Sequence, residues 1–187
     1  MRVALRRGGR VDKDNNLTDW EIKAMALAFQ KMWDSHPSNL KPTPDDHPCK
    51  KKDGTSAFEN QCAIRLGIAL NGGGMNMKAY TKARCWYGHS TVHALRAQEL
   101  ADWLSLSAQL GKPIKFKAER GVDLKLTVLT AVNGKKGIVF CQDFWAPSPG
   151  GANVGDHIDL WDGTAMAHGS SSYFGPAKQV WFWEITT

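Results

Sequence analysis

The sequence lacks any long apolar run, and this absence limits how the protein can relate to a membrane. No segment approaches the roughly 18 apolar residues that a membrane-spanning helix requires. The first ten residues contain four arginines, but no apolar stretch of the length found in signal peptides. If the protein works outside the cytoplasm, we therefore expect an export route other than a standard signal peptide.

Cysteine is also scarce, with four residues in a chain of 187. The four show no CxxC pair and no zinc-ligand spacing, and they are too few to define a disulfide scaffold. If Cys62 is reactive, then Cys49, Cys85 and Cys141 can form at most one disulfide among them. Cys141 lies in an apolar run that favours a place in the core, and the sequence leaves any pairing open.

Histidine is equally sparse, and its spacing does not indicate a metal site. His47 and Cys49 lie in a proline-rich loop, where we interpret their proximity as chance. His89 and His93 are four residues apart and would share one face of a helix. No third ligand is suggested beside them, so capping or surface roles are the preferred interpretation. We accordingly predict no metal and no cofactor.

Charge and aromatic content limit the class of partner. The formal net charge is +6, which suits an anionic polymer, an acidic lipid surface or a bacterial cell wall. The basic residues are mostly dispersed and accompany no nucleic-acid motif, so we predict no nucleic-acid partner. Eight tryptophans are many for this length; core packing is the preferred explanation, and a groove for a sugar or peptide polymer is the alternative.

The chain is most simply a single domain of mixed α and β structure. Residues 1–16 are a basic lead-in that we predict to be loose or extended, followed by the domain at 17–187. The sequence predicts helices at about 18–34, 60–70 and 90–110, and a loop at 37–56. Residues 114–132 fit either a strand or a helix. Alternating or continuous apolar residues predict strands at 138–141, 155–161 and 180–185.

The helix at 60–70 carries a cysteine in its first turn. Asn60 is a favourable N-cap type, and Asn71 with the glycines that follow should end the helix. A cysteine in this position is near free amides and the positive end of the helix dipole, which favour a thiolate. Cys62 is therefore a candidate nucleophile, although a small core side chain is the alternative.

A thiol nucleophile requires a base, and His157 is the best placed candidate. It lies on a predicted strand beside a glycine- and proline-rich loop, and histidine is the usual base for such a thiol. A base must itself be oriented by a third polar group. Asp159 shares the face of His157, and His168 follows eleven residues after it.

With these residues in view, the sequence resembles the type VI secretion amidase effector 4 family over about residues 18–187. The resemblance implies an α+β, NlpC/P60 papain-like fold with an antiparallel sheet packed against helices. It also implies a toxin that hydrolyses the γ-D-glutamyl–meso-diaminopimelate bond of peptidoglycan stem peptides in a rival's periplasm. Export by the type VI secretion machinery and a cognate immunity protein that blocks the cleft are further implications. The matching motifs are residues 61–66 (QCAIRL), 97–104 (AQELADWL), 137–140 (GIVF) and 155–161 (GDHIDLW).

Carried over by motif, Cys62 is the nucleophile and His157 the general base. The family pattern has an aspartate eleven residues after the histidine, where this sequence has His168. The broader NlpC/P60 group tolerates histidine there, so the resemblance implies His168 as the orienting residue, with Asp159 in reserve. Two other functions remain as alternatives. One is a non-catalytic cell-wall binding module, and the other is a papain-like protein peptidase or acyltransferase.

Overall fold

The computed structural model describes residues 29–40 and 47–185. The predicted lead-in at 1–16 and most of the predicted first helix lie outside these residues. Within them, no helix is both long and apolar enough to cross a membrane. The elements in chain order are α1 (residues 29–35), α2 (Pro37–Leu40), α3 (Cys62–Gly72), a 3₁₀ turn (Met77–Ala79), α4 (Ala97–Leu104), β1 (Ile114–Lys117), α5 (Leu124–Val132), β2 (Gly137–Trp145), β3 (Gly155–Trp161), a second 3₁₀ turn (Ser171–Phe174) and β4 (Gln179–Glu184).

The four strands form one antiparallel sheet in the order β1-β4-β2-β3. Helices cover both of its faces, so alternate residues of the central strands enter two different apolar clusters. Ile138 and Phe140 pack with α1, α3 and α4, whereas Val139 and Cys141 pack with α5. Burial on both faces explains why these strands read as continuous apolar runs. The predicted α+β class is confirmed, and Cys141 is a core residue as expected.

The predicted helix at 90–110 is wrong over much of its length, because only Ala97–Leu104 is helical. The preceding chain folds back on itself instead. The N–H of Cys85 donates to the carbonyl of His93 at 2.9 Å, and the N–H of Leu95 donates to Ala83 at 3.1 Å. These long-range pairs use the backbone groups that a helix would need.

Three other local predictions need adjustment. Of the predicted loop at 37–56, residues 47–56 contain no helix or strand apart from an isolated bridge, but a short helix begins at Pro37, where the fixed φ of proline suits a first helical turn. The ambiguous stretch 114–132 contains both a strand and a helix, and the helix is capped by Asp123, which accepts from the N–H of Leu126.

The prediction that the tryptophans pack in the core holds for Trp103, Trp161 and other buried tryptophans, while Trp86 is 71% exposed.

Gly137 begins β2 at a point where three strands meet without room for a side chain. A methyl group there would overlap the carbonyl of Trp183 and lie 2.8 Å from the Phe182 ring. We expect Gly137→Ala to lower the free energy of unfolding by about 1–3 kcal/mol, the usual cost of overpacking a core. Urea denaturation measures this, with Gly175→Ala as control, because a methyl at 175 meets only ordinary contacts. Equal stability of the two variants would contradict the close packing.

Candidate active site

The nucleophile candidate is the first residue of α3. The N-cap is Gln61, and its side chain makes no capping hydrogen bond, so the predicted cap at Asn60 is wrong. The Gln61 amide is used elsewhere: its Oε1 accepts from the N–H of Cys49 at 2.8 Å, and its Nε2 donates to the Cys49 carbonyl at 2.9 Å. Without a side-chain cap, the amides of the first helical turn remain available to an anion at Cys62.

The environment of Cys62 favours its thiolate. Its Sγ lies 4.0 Å from the carbonyl of Asp156 at the edge of β3. Burial disfavours the charged form, but a hydrogen bond and the positive charge of His157 outweigh it, helped by the N–H groups of Ile158 and Ala63. The pKa of Cys62 is therefore lowered from its ordinary value. The structure thus brings the predicted nucleophile and base together.

The His157 side chain projects from β3 and lies beside two aromatic rings. Its ring meets the ring of Tyr173 edge-on at 5.2 Å and that of Phe144 at 6.3 Å. Its Nε2 faces Asp159, with 3.8 Å to Oδ2, which leaves Nδ1 as the nitrogen for the thiol. Burial opposes the imidazolium, but Asp159 and the Cys62 thiolate more than offset this and raise the pKa of His157 to about 10. Both shifts favour transfer of the Cys62 proton to His157.

Asp159 is a buried carboxylate that faces His157. It is 1% exposed and two residues from His157 on the same face of β3. One oxygen lies 3.1 Å from Nε2 of His36, and the other accepts from the backbone N–H of His168. Burial raises the pKa of Asp159, but His157 and His36 outweigh this and lower it to about 2. A permanently ionised carboxylate stabilises the imidazolium beside it.

His168, the predicted orienting residue, lies at the same centre and contacts Asp159 through its backbone. Its backbone N–H donates to Asp159, and its half-buried ring lines the cleft. Burial, together with the charge of Arg65, lowers the pKa of that ring. The carboxylate of Asp159 is the group within ion-pair distance of His157. The geometry therefore favours the reserve residue, Asp159, as the orienting group.

His36 is a site residue that the sequence reasoning missed. It lies just beyond the predicted first helix, yet it is fully buried and reaches Asp159. Its Nδ1 accepts from the N–H of Ser38 at 3.3 Å, which leaves the ring proton on Nε2, facing the carboxylate. No local pattern signals this contact, because the two residues are 123 positions apart.

A bulge in β2 shapes one wall of the site. The register with β3 shifts between Cys141 and Trp145, and Asp143 adopts a left-handed φ of 50° within the shift. The N–H of Asp143 donates to the Asp156 carboxylate at 2.9 Å, which holds the bulge beside the reacting pair. Such bulges turn side chains toward a site, and here Phe144 joins Trp145 in lining the cleft.

Gly169 allows the loop after β3 to close over His157. Its φ is +146°, and a Cβ there would lie 2.8 Å from Nε2 of His157. A side chain would therefore push the imidazole or the loop away. Since the loop also carries the His168 N–H that binds Asp159, glycine at this position supports the arrangement of all three groups.

Two branches of a cleft meet at Cys62. One branch, of about 480 Å³, contains the catalytic candidates with Arg65 and His47. The other branch, of about 440 Å³, runs along the start of α4 past Arg96 and Gln98. Cys62 and Asp156 border both branches. A nucleophile at such a junction can attack an amide whose acyl part lies on one side and whose amine part lies on the other.

A helix-borne thiol facing a strand-borne imidazole, on an antiparallel sheet covered by helices, is the arrangement of the papain-like thiol hydrolases. Comparison with known families identifies the group more closely. The profile of the type VI secretion system (T6SS) amidase effector protein 4 family, Tae4, matches residues 58–183, and the chain belongs to that family. It is therefore an antibacterial amidase that cleaves peptidoglycan, and the non-catalytic binding-module alternative is not supported.

Solved structures with the same fold are Tae4 effectors. The Tae4-Tai4 effector-immunity complex from Salmonella Typhimurium matches with a TM-score of 0.56 at 20% identity, covering 87% of this chain and 96% of that one. Tae4 from Enterobacter cloacae matches with a TM-score of 0.54 at 18% identity, covering 86% and 94%. The expected NlpC/P60-like fold is confirmed. A search of curated proteins by sequence finds no significant match.

Proposed function

We propose that this effector hydrolyses the γ-D-glutamyl–meso-diaminopimelate bond of peptidoglycan stem peptides in the periplasm of a rival cell. The observation that carries the proposal is that the Cys62 thiol and the His157 imidazole lie together where two pockets meet, in surroundings that favour proton transfer from the thiol to the imidazole. An endopeptidase requires such a junction, because substrate continues on both sides of the bond that breaks. The family supplies the substrate class, since its members are peptidoglycan amidases.

The proposed reaction proceeds through an acyl-enzyme. The Cys62 thiolate attacks the γ-glutamyl carbonyl carbon, and the carbonyl electrons move to oxygen. The N–H groups at the start of α3 stabilise that oxyanion. The tetrahedral intermediate collapses as His157 gives its proton to the leaving amine of diaminopimelate. A water molecule, deprotonated by His157, then attacks the thioester and releases D-glutamate from Cys62.

Digestion of purified Gram-negative peptidoglycan tests the proposal. Mass spectrometry of the products should show new fragments ending in D-glutamate and new fragments beginning with diaminopimelate. Soluble muropeptides and an unfolded protein such as casein are offered in parallel, which distinguishes a wall amidase from the protein-peptidase alternative. Cleavage of a different amide bond, or of casein in preference to muropeptides, would contradict the assignment.

Export and protection are part of the same proposal. We infer that type VI secretion delivers the chain into the rival cell, because the family is one of type VI secretion system effectors. We also infer that a cognate immunity protein covers the cleft in the producer, because related effectors are seen in complexes with Tai4 immunity proteins. A matching immunity protein should therefore inhibit muropeptide hydrolysis and protect Cys62 from alkylation.

The identity of the orienting group is testable with two variants. We expect Asp159→Asn to lower kcat by on the order of 10²–10⁴-fold, because the neutral amide stabilises the imidazolium less and permits the wrong tautomer. His168→Ala should cost much less, because His168 reaches Asp159 through its backbone N–H, which alanine keeps. Muropeptide turnover measures both. A larger loss in His168→Ala than in Asp159→Asn would return the orienting role to His168.

A further inference from the structure

Four side chains outside the catalytic centre lie close together. Cys49, Cys85, His89 and His93 each offer a ligand atom, and these atoms all lie within 4.8 Å of one another. The Sγ atoms of Cys49 and Cys85 are 3.4 Å apart, and Sγ of Cys49 lies 3.1 Å from Nε2 of His89. None of the four takes part in the proposed hydrolysis. The cluster therefore requires its own explanation.

The surroundings of the cluster are those of a buried cation site. Cys49 and His93 are buried, and Nδ1 of His93 finds no hydrogen-bond partner within the described ranges. The rings of His89 and His93 stack with centroids 4.2 Å apart, so two imidazoles face the same thiols. The N–H of Tyr87 points at Sγ of Cys85, at 3.3 Å, a contact that stabilises negative charge on sulfur.

We propose that these four residues bind a structural zinc ion. With Zn–S bonds of about 2.3 Å and Zn–N bonds of about 2.0–2.1 Å, the ligand atoms of a tetrahedral site lie about 3.3–3.8 Å apart. The observed separations of 3.4 Å and 3.1 Å are close to this range. Two thiolates with two imidazoles in tetrahedral array select Zn²⁺ among the common divalent metals. Four protein ligands leave no open position, which is typical of a structural site.

The ion would fasten two segments that lack regular structure. Apart from isolated bridges, residues 47–61 and 80–96 contain no helix or strand, and Cys49 comes from the first while the other three ligands come from the second. The second segment also carries the exposed Trp86, whose ring meets Phe58 edge-on at 5.3 Å. Segments of this kind bury little apolar surface, so a metal cross-link adds stability where the core does not reach.

The same ion would support the start of the catalytic helix. Cys49 is held on both its N–H and its carbonyl by the Gln61 amide, and Gln61 precedes Cys62 directly. A metal that fixes Cys49 thus restrains the residue next to the nucleophile. Loss of the ion should affect the temperature stability of the whole domain and, through this contact, the position of Cys62.

A disulfide between Cys49 and Cys85 is the competing use of the two thiols. It would account for two of the four groups and leave both imidazoles directed at a neutral sulfur pair. The zinc site accounts for all four groups. We therefore prefer the metal, and the disulfide becomes an outcome of the test.

Metal analysis of the full chain tests the proposal. The protein is purified without metal-affinity resin or chelator, and the number of zinc ions per chain is measured by elemental mass spectrometry. We expect about one zinc per chain in the wild type and in Cys62→Ala, whose thiol lies outside the site. Cys85→Ser and His89→Ala should lose most of the metal and melt at a lower temperature. Full zinc content in both ligand variants would overturn the proposal.

Absorption spectroscopy of the wild-type protein tests the proposal even if the ligand variants do not fold. Wild-type protein is reduced, stripped of metal and titrated with Co²⁺ alone under anaerobic conditions. We expect one equivalent to produce thiolate-to-cobalt charge-transfer bands and the strong visible bands of a tetrahedral centre, which Zn²⁺ then abolishes. Absence of these bands in reduced, folded protein would refute the site, as would a Cys49–Cys85 disulfide in freshly isolated material.

Discussion

Replacing Cys62 with alanine is expected to abolish hydrolysis of peptidoglycan peptides while leaving the fold intact. The thiolate forms the covalent bond to the substrate, and neither alanine nor a nearby side chain can replace it. Removing a nucleophile of this kind typically costs on the order of 10⁴-fold or more in kcat, leaving only the effects of binding and the oxyanion amides. Cys62 is partly exposed at the first turn of α3, so losing one sulfur should disturb packing little.

The measurement is muropeptide turnover by wild type, Cys62→Ala and Cys62→Ser, with thermal unfolding as the check on folding. Serine keeps the size of the side chain, but the environment that lowers a thiol pKa does not ionise a hydroxyl. Both variants should therefore be inactive and unfold near the wild-type temperature. The zinc proposal predicts that Cys62→Ala keeps its metal. This variant should therefore lose its activity and retain its zinc. Turnover in folded Cys62→Ala would remove Cys62 from the mechanism.

Replacing His157 with alanine is expected to be nearly as damaging, because nucleophile and base act as a unit. The imidazolium lowers the pKa of Cys62 through a hydrogen bond and its charge. Without it, burial of the thiol would dominate and raise that pKa, so little thiolate would remain at neutral pH. The leaving amine would also lose its proton donor. We expect a fall in kcat on the order of 10⁴-fold.

The rate of Cys62 alkylation by iodoacetamide as a function of pH isolates the first of these effects. In the wild type the thiolate should react well below the ordinary thiol pKa, and in His157→Ala the reaction should require higher pH. Peptide mapping assigns the label, and the buried Cys141 serves as an internal reference, since burial raises the pKa of its thiol. An unchanged profile in His157→Ala would mean that His157 does not activate Cys62.

The elements that could be predicted from sequence are those specified by nearby residues. The strands at 138–141 and 180–185 are apparent because both faces of the sheet are covered, which makes their apolar content continuous or nearly so. The strand at 155–161 is apparent from the alternation of its polar and apolar residues. The helix that begins with Cys62 is likewise local. The helix at 90–110 was overextended, because the pairing of residues 83–85 with 93–95 depends on a loop that folds back.

The proposed nucleophile and base were predicted from their local settings and from the family resemblance, but the details of the site were not. Asp159 is two residues from His157, so its place on the same face follows from strand geometry. The geometry favours Asp159 over His168 as the orienting group because of the loop after β3. Gly169 allows this loop to close over His157, and the loop then presents the backbone N–H of His168 to the Asp159 carboxylate. The contact between His36 and Asp159 joins two residues that are far apart in the sequence.

The sequence by itself determined the mixed α and β content, the helix-borne thiol and the strand-borne imidazole, because short-range periodicity controls such features. The family resemblance added the reaction and the fold family. Only the tertiary structure decided which groups surround His157, and that Cys49 meets Cys85, His89 and His93. The spacing between Cys49 and Cys85 is 36 residues, so no local pattern can signal that they meet. Such contacts form only when the sheet and helices have packed and brought their loops together.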